Sequence, residues 1–316
     1  MEHLAQIFSI GLLQNTLRTA TPVILAAMGG LLTEQAGIMN IGMDGMIVIG
    51  AFVAVSVSFA CSSAALGVLM AVGVGILIGL FFALFVVKFR SDEFIIGMAL
   101  NTFAAALTVF LLRSIFGVKG TFADSGIVPL PTVDIPFLDS IPILGPLLNN
   151  NSIFVYITWI LVFLTWVLLY RTPYGFWIRA AGEHPETLET AGINPNKMKF
   201  IASVLCGVFC AFAGAHLSLG YLTMFSEGMS ANRGFIAFAC VIFGMANPPK
   251  VFLAALLFGF LNALGLRLQS VGVPAELTAM TPYIVTVIML VYVVTAGAKR
   301  KKRKARKAVR EQEQPA

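Results

Sequence analysis

The sequence predicts an all-α polytopic membrane protein with about eight to ten transmembrane helices, some broken or re-entrant, and a short helix on the cytoplasmic side. The chain of 316 residues is 58% hydrophobic and only 11% charged, whereas soluble domains carry about 25% charged residues. Its mean hydropathy is +0.90. Apolar runs of roughly 20 residues, enough to cross about 30 Å of hydrocarbon as a helix, recur along most of the chain.

These runs predict a transmembrane domain over residues 1–297, followed by a basic tail at 298–316. The spans are expected near 8–32, 44–60, 64–88, 94–113, 153–170, 198–220, 233–247, 250–270 and 277–297. Two of them, 44–60 and 233–247, are short for a full crossing. We therefore expect these two to be broken or incomplete.

The orientation follows from lysine and arginine, which accumulate in short cytoplasmic loops. By this rule the tail after Lys299, the polar loop 171–199 and the turn at 88–93 are cytoplasmic. The loop at 118–152 has no lysine or arginine from Gly120 onward and is predicted to be external. Counting the spans back from these loops places the N-terminus outside.

The net charge of +6 arises from the tail alone. Nine of the 21 basic residues lie in 299–310, and residues 1–298 hold 12 basic and 13 acidic side chains. Since this basic block has no folded platform and no interleaved aromatic residues, it does not indicate nucleic-acid binding. We expect a solvated cytoplasmic tail that contacts anionic membrane lipid.

The residue pattern also argues against an enzyme. The four cysteines lie in apolar surroundings and none forms a CxxC pair, which favours small buried side chains over metal ligands. Walker A, GxSxG and HExxH motifs are absent from the sequence, and no nucleophile stands beside a base. The chain is thus expected to hold no cofactor or metal and to hydrolyse no nucleotide itself.

The longest polar interruption near the middle of the chain is 171–199, with the sequence RTPYGFWIRAAGEHPETLETAGINPNKMK. Within it, Pro185 to Ala191 is predicted to be a short helix, because proline is favoured in the first turn and acidic residues follow. Gly192 suits the position just after a helix end. The sequence therefore predicts an ordered cytoplasmic helix between two spans.

Two further stretches, 31–52 and 221–249, place polar residues and glycines at the mouths of apolar runs. Glu34, Asn40 and Asp44 belong to the first of them. Irregular backbone at membrane depth survives only inside protein or beside a wet cavity, and discontinuous helices often carry substrate contacts in transporters. The alternative is that the glycines permit close helix packing and the polar residues cap helix ends.

Isolated polar residues also occur on predicted spans. Asn101 and Asn262 either face a pathway or form hydrogen bonds with neighbouring helices, and the sequence leaves both options open. His216 stands alone on an apolar face. We expect it to be a satisfied core histidine.

Four stretches carry a resemblance to a known family. They are TEQAGIMNIGMDGMIVIGAF (33–52), GEHPETLETAGIN (182–194), EGMSANRGFIAFACVIFGMANP (227–248) and DEFIIG (92–97). Together they identify the chain, over about residues 8–297, as similar to the integral-membrane permease subunit of ATP-binding-cassette (ABC) importers. It most resembles the nucleoside branch of the branched-chain amino acid, ribose and nucleoside group. Asn232 stands where this group commonly has glycine.

The resemblance implies a set of partners and roles. A cytoplasmic ABC ATPase would carry ATP and Mg and would contact this chain. A second permease subunit would complete the pathway, with a different chain favoured over a copy of this one. An external substrate-binding lipoprotein would deliver a small-molecule solute across the bacterial cell membrane. The ATPase-coupling residues would be Gly182, Glu183, His184, Pro185, Glu186, Thr187, Leu188, Ala191 and Gly192. The substrate pathway would include Glu34, Asn40, Asp44, Asn101 and Asn262.

The sequence leaves alternatives open for the transported solute and for the energy source of transport. Nucleosides fit the pattern of residues 34–46 best, while ribose or other sugars and branched-chain amino acids stay open. An ion-coupled secondary transporter would instead use intramembrane acids such as Asp44, and a passive channel would need no ATPase.

Overall fold

The computed structural model describes residues 10–134 and 148–270, together with residues 274, 277, 278, 280, 284 and 287. This part of the chain is almost entirely helical. Its helices are α1 (Ile10–Gln35), α2 (Met43–Cys61), α3 (Ala64–Ala83, extended by a π-helical turn at Leu84–Lys88), α4 (Glu93–Phe116), α5 (Ile153–Arg171), α6 (Pro173–Glu183), α7 (Pro185–Thr190), α8 (Pro195–Ala215, extended by a π-helical turn at His216–Tyr221), α9 (Arg233–Phe243) and α10 (Pro248–Ser270). The strands are β1 (Thr121–Phe122), β2 (Thr132–Val133), β3 (Asn151–Ser152) and β4 (Phe225–Ser226).

Among the described residues, six helices are long and apolar enough to cross a membrane: α2, α3, α4, α5, α8 and α10 with their π-helical extensions. This confirms the predicted all-α polytopic class. The expectation that the span at 44–60 is broken or incomplete was wrong, because α2 is one continuous helix of 19 residues that is apolar enough to cross. The segment predicted at 233–247 contains only the 11-residue α9, which at 1.5 Å per residue spans about half of the hydrocarbon. The predicted span at 277–297 and the tail at 298–316 lie outside the continuously described residues.

Helix α8 forms the centre of the bundle and packs against α1, α2 and α3. In its most apolar 18-residue stretch 67% is buried, whereas the corresponding stretches of α4 and α5 are each 28% buried and present outward faces. The contact of α3 with α8 runs over glycines, and a Cβ at Gly79 would lie 2.6 Å from the Ser203 carbonyl oxygen. Small residues at such crossings let backbones approach closely, which is how membrane helices gain packing energy.

The loop 118–152 is tied to two other parts of the chain. Strand β1 pairs antiparallel with β4, which follows α8, and β2 pairs with β3 at the start of α5. In addition, Arg18 on α1 donates from Nε to Asn151 Oδ1 at 3.0 Å and from its terminal nitrogen to the Asn150 carbonyl. The first half of α1 and the segment after α8 therefore lie on the same side of the bundle as this loop.

The chain divides into two compact units, one ending at Leu264 and the other beginning at Gly265. The first unit contains all the features of the candidate site. Within the second, Gln269 Nε2 donates to Thr278 Oγ1 at 2.6 Å.

Candidate coupling segment and transport site

The polar loop 171–199 folds into two helices where the sequence predicted one. Helix α6 was missed, although Thr172 and Pro173 form a recognisable start: the Thr172 hydroxyl accepts the Gly175 N–H at 3.3 Å. Its buried residues recur at Gly175, Ile178 and Ala181, a spacing typical of one helix face. Helix α6 therefore fixes where the predicted coupling helix begins.

The predicted coupling helix is α7, Pro185–Thr190, one residue shorter than expected. Leu188 is its one buried side chain, at 4% exposure. Gly192 ends the turn at φ +79°, as predicted for a residue just past a helix end. The other predicted coupling residues, apart from the half-buried Gly182, form one exposed, mostly polar surface: Glu183, His184, Pro185, Glu186, Thr187, Ala191 and Gly192.

Residues 36–42 form the break between α1 and α2, in which Gly37 and Met39 are exposed and the other five residues are buried. We call this segment the break. Asn40 is buried and its Oδ1 accepts the Gly42 N–H at 3.0 Å. Asn101 of α4 donates to the Ile41 carbonyl at 3.0 Å and accepts the Gly45 N–H at 2.7 Å. These amides replace the helical hydrogen bonds that the backbone forgoes there, as membrane burial requires.

Asp44 joins the beginnings of two helices. It lies in the first turn of α2, and its Oδ1 accepts the N–H of Gly234, the second residue of α9, at 2.9 Å. Its Oδ2 accepts the Ser230 hydroxyl at 2.8 Å. Because the N-terminal end of a helix carries a partial positive charge, one carboxylate stabilises both ends. The geometry thus gives Asp44 a structural role, alongside the predicted pathway role.

Replacing Asp44 with alanine is expected to lower the midpoint temperature of thermal unfolding in detergent. The change leaves the Gly234 N–H and the Ser230 hydroxyl without their acceptor, and each such buried loss costs about 1–3 kcal/mol. Ser230→Ala removes only one of these two hydrogen bonds and should lower the melting temperature by less. Equal melting temperatures for Asp44→Ala and the unmodified protein would contradict this assignment.

The five predicted pathway residues do not all come together. Asn40, Asp44 and Asn101 meet at the break, and Glu34 lies just before it, where its carbonyl accepts the Gly37 N–H at 3.0 Å. Asn262 lies on α10, one turn after Gly259, which packs against Ala20 of α1. Met43, the first residue after the break, instead packs against Gly30 of α1, ten residues and about 15 Å further along that helix than Ala20.

Two features of the segment from His216 to the start of α9 were missed or only partly predicted. Asn232 has φ +60° and its neighbour Ala231 φ +46°, so the turn into α9 is left-handed, which explains a preference for glycine there. His216 is fully buried, as predicted. Its Nε2 lies 3.3 Å from the Arg18 carbonyl, but among the described residues its Nδ1 has no hydrogen-bond partner.

In the described part of the chain, no group of three or more His, Cys, Asp or Glu side chains is arranged to hold a metal ion. A polar cavity of about 370 Å³ opens beside the break, on the side of the polar loop. It is lined by Gly37, Ile38, Val86, Val87, Arg90, Ser91, Asp92, Glu93, Asn196 and Lys199.

Fold and site together define a class of protein: a multi-pass membrane permease in which broken helices meet inside the bundle and a polar helix is exposed between two spans. The chain belongs to the family described as the permease component of the branched-chain amino acid transport system, which matches residues 12–294. It is the permease subunit of an ABC transporter, as its motifs predicted, and such subunits work with ATPase and binding-protein partners.

Named relatives cover nearly the whole chain. A guanosine ABC transporter permease, NupQ of Bacillus subtilis, is 34% identical over 91% of this chain and 92% of its own. A nucleoside ABC transporter permease, NupC of Lactococcus lactis, is 31% identical over 87% and 90%. A putative glucose ABC transporter permease, TsgC13 of Haloferax volcanii, is 31% identical over 85% and 81%. In Bacillus subtilis and in Lactococcus lactis a second permease, named for the same kind of solute as the first, also matches this chain. No solved structure matches the chain.

Proposed function

We propose that this chain forms the membrane pathway of an ATP-driven importer for nucleosides. The observation that carries the proposal is the naming of two relatives, one for guanosine and one for nucleosides, at 34% and 31% identity over most of both chains. Sugars are the second candidate, because a relative named for glucose is 31% identical. Branched-chain amino acids are the third, from the description of the family.

The exposed surface of α7 supports the proposed contact with a cytoplasmic ABC ATPase. ATP and Mg would bind and react on that partner, and this chain would contribute the docking surface around Glu183 to Ala191. An external substrate-binding lipoprotein would deliver the solute on the side of the loop 118–152. The basic tail would remain in the cytoplasm of a bacterial cell.

A different permease chain, rather than a copy of this one, is the proposed second subunit. Two organisms each have two permeases that match this chain and are named for the same kind of solute. The outward faces of α4 and α5 are available for such a partner or for lipid.

The proposed pathway passes the break, next to Asn40, Asp44 and Asn101, with Glu34 at its cytoplasmic end and Asn262 on α10. A nucleoside has a polar sugar and a flat base, so it needs a few hydrogen-bonding groups beside apolar surface. The Asn40 oxygen and both amide atoms of Asn101 already bond to the backbone, and the Asn40 nitrogen donates to Cys206 Sγ. We therefore propose that solute contacts there accompany a rearrangement of the break.

Uptake into proteoliposomes tests this function. Vesicles hold this chain with its cognate ATPase, second permease and binding protein, and labelled guanosine, ribose, glucose and leucine are supplied with and without ATP. We expect ATP-dependent uptake of guanosine that persists when the proton gradient is collapsed. Uptake of a sugar or leucine alone would refute the nucleoside assignment, and flux without ATP would refute the importer.

A further inference from the structure

We infer that Gly37 and Gly182 are positioning residues that connect the coupling segment directly to the break inside the membrane. The inference rests on the proposed function and deepens it, because it names where motion of the ATPase partner enters the pathway. Neither glycine carries a functional side chain. Their role follows from what surrounds them.

The first observation is a contact between two backbones. A Cβ at Gly37 would lie 3.0 Å from Gly182 Cα, and a Cβ at Gly182 would lie 2.8 Å from the Gly37 nitrogen and 2.9 Å from the Ala36 carbonyl carbon. Gly37 also has φ +72°, a conformation that favours glycine. No side chain separates the end of α6 from the break, so a rotamer change cannot absorb a displacement between them.

The second observation is that the far side of the break is equally tight. A Cβ at Gly97 of α4 would lie 2.9 Å from the Gly42 nitrogen. Asn101 holds Ile41 and Gly45, and Glu93 Oε2 accepts the Met39 N–H at 2.9 Å. The break is therefore fixed to the first three turns of α4. Close-packed interiors transmit displacement rather than absorb it.

The third observation is that residues on both sides of the break are hydrogen-bonded to the segments at the two ends of α9. Asp44, two residues beyond the break, accepts hydrogen bonds from Gly234 in the first turn of α9 and from Ser230 in the turn before it. Gln35, just before the break, donates to the Ala246 carbonyl at 2.6 Å, at the turn that follows α9. Both ends of the short helix α9 are thus bonded to residues that flank the break.

These contacts form a continuous path from the exposed surface of α7, through the end of α6, to the break and then to α9. A displacement of Gly182 moves the break, and the break moves α9, which spans only part of the membrane. Two broken segments, one from each half of the chain, thereby shift together. This is a discrete mechanical element of the kind that switching proteins use.

The chain offers a matched control for each glycine. Gly37→Ala and Gly182→Ala introduce a methyl group against backbone. Gly117 has φ +67° and Gly73 lies in helix α3, and a Cβ at either one would meet no atom within 4 Å. Gly117→Ala therefore reproduces the backbone strain of Gly37→Ala without its contact. Gly73→Ala likewise controls for adding a methyl group to a helix.

The experiment measures ATP hydrolysis and guanosine uptake in the same proteoliposomes holding the complete complex. For Gly37→Ala and Gly182→Ala we expect the ATPase to remain bound and active, while solute moved per ATP falls at least tenfold. Gly117→Ala and Gly73→Ala should retain the unmodified ratio. A parallel loss of hydrolysis and uptake, with the ratio unchanged, would overturn the inference. If the unmodified complex shows no ATP-driven uptake, the proposed function fails first.

A spin-label measurement tests the same path without added methyl groups. The exposed Cys61 is replaced by serine, and labels are placed by cysteine substitution at the exposed positions Met39, Thr190 and Leu66. Between the nucleotide-free complex and one holding a non-hydrolysable ATP analogue, the distance from 39 to 190 should stay constant. The distance from position 39 to position 66 and the distance from position 190 to position 66 should change by similar amounts. A change in the distance from 39 to 190 alone would contradict the rigid contact.

Discussion

Replacing Gly75 with leucine is expected to prevent the membrane domain from folding. A Cβ at Gly75 would already lie 2.5 Å from the Gly207 carbonyl oxygen and 2.7 Å from Ala211 Cβ, on the central helix α8. A leucine adds four carbon atoms where none fits. The two helices must separate along their whole crossing, which exceeds the about 1–3 kcal/mol of ordinary overpacking.

The comparison is with Gly73→Leu, two residues earlier on the same helix. Gly73 is exposed, and a Cβ there would meet no atom within 4 Å. Leucine at this position should be tolerated or slightly favourable in lipid. Size-exclusion chromatography in detergent, followed by thermal unfolding, measures both variants. A monodisperse, normally melting Gly75→Leu protein would show that α3 and α8 do not cross as described.

The long helices could be predicted because each one needs a long apolar run to cross the hydrocarbon. The predicted spans at 44–60 and 153–170 correspond to Met43–Cys61 and Ile153–Arg171. The unusual character of 233–247 was also visible, since its apolar run is too short for a crossing. Helix α1 ends at Gln35, three residues beyond the predicted 32, because its last turn is polar but still helical.

What the sequence could not supply was the identity of partners far apart in the chain. The cost of polar groups in a membrane indicates that Asp44 needs a partner, but not that the partner is Gly234, 190 residues away. Likewise, a conformationally free glycine at 37 is readable from the sequence, whereas its contact with Gly182 depends on how α6 packs. Local patterns report what a residue requires, and tertiary packing decides how the requirement is met.

The coupling segment illustrates the same limit. Its helix was predictable from Pro185, the acidic residues and Gly192, all of which act within one turn. Its attachment was not, because Leu188 is one leucine among many in an apolar chain. The structure shows that this side chain alone in α7 is buried. The position of the exposed docking surface therefore depends on a residue whose importance the sequence does not display.

Replacing Leu188 with aspartate is accordingly expected to release α7 and abolish transport. A buried leucine truncated to alanine costs about 2–5 kcal/mol, and a buried charge costs more. A six-residue helix has little stability of its own to offset such a loss. In proteoliposomes, guanosine uptake should fall at least tenfold, and the ATPase should no longer co-purify with the membrane subunits.

Leu188→Met provides the matched comparison, because it conserves volume and apolar character at a cost usually below about 1.5 kcal/mol. It should keep the ATPase bound, and Leu188→Ala should fall between the two. The membrane domain itself should melt normally in all three variants, since α7 lies outside the bundle centred on α8. If Leu188→Asp retains the ATPase and full uptake, α7 is not the docking helix, and the contact must then lie elsewhere on the cytoplasmic surface.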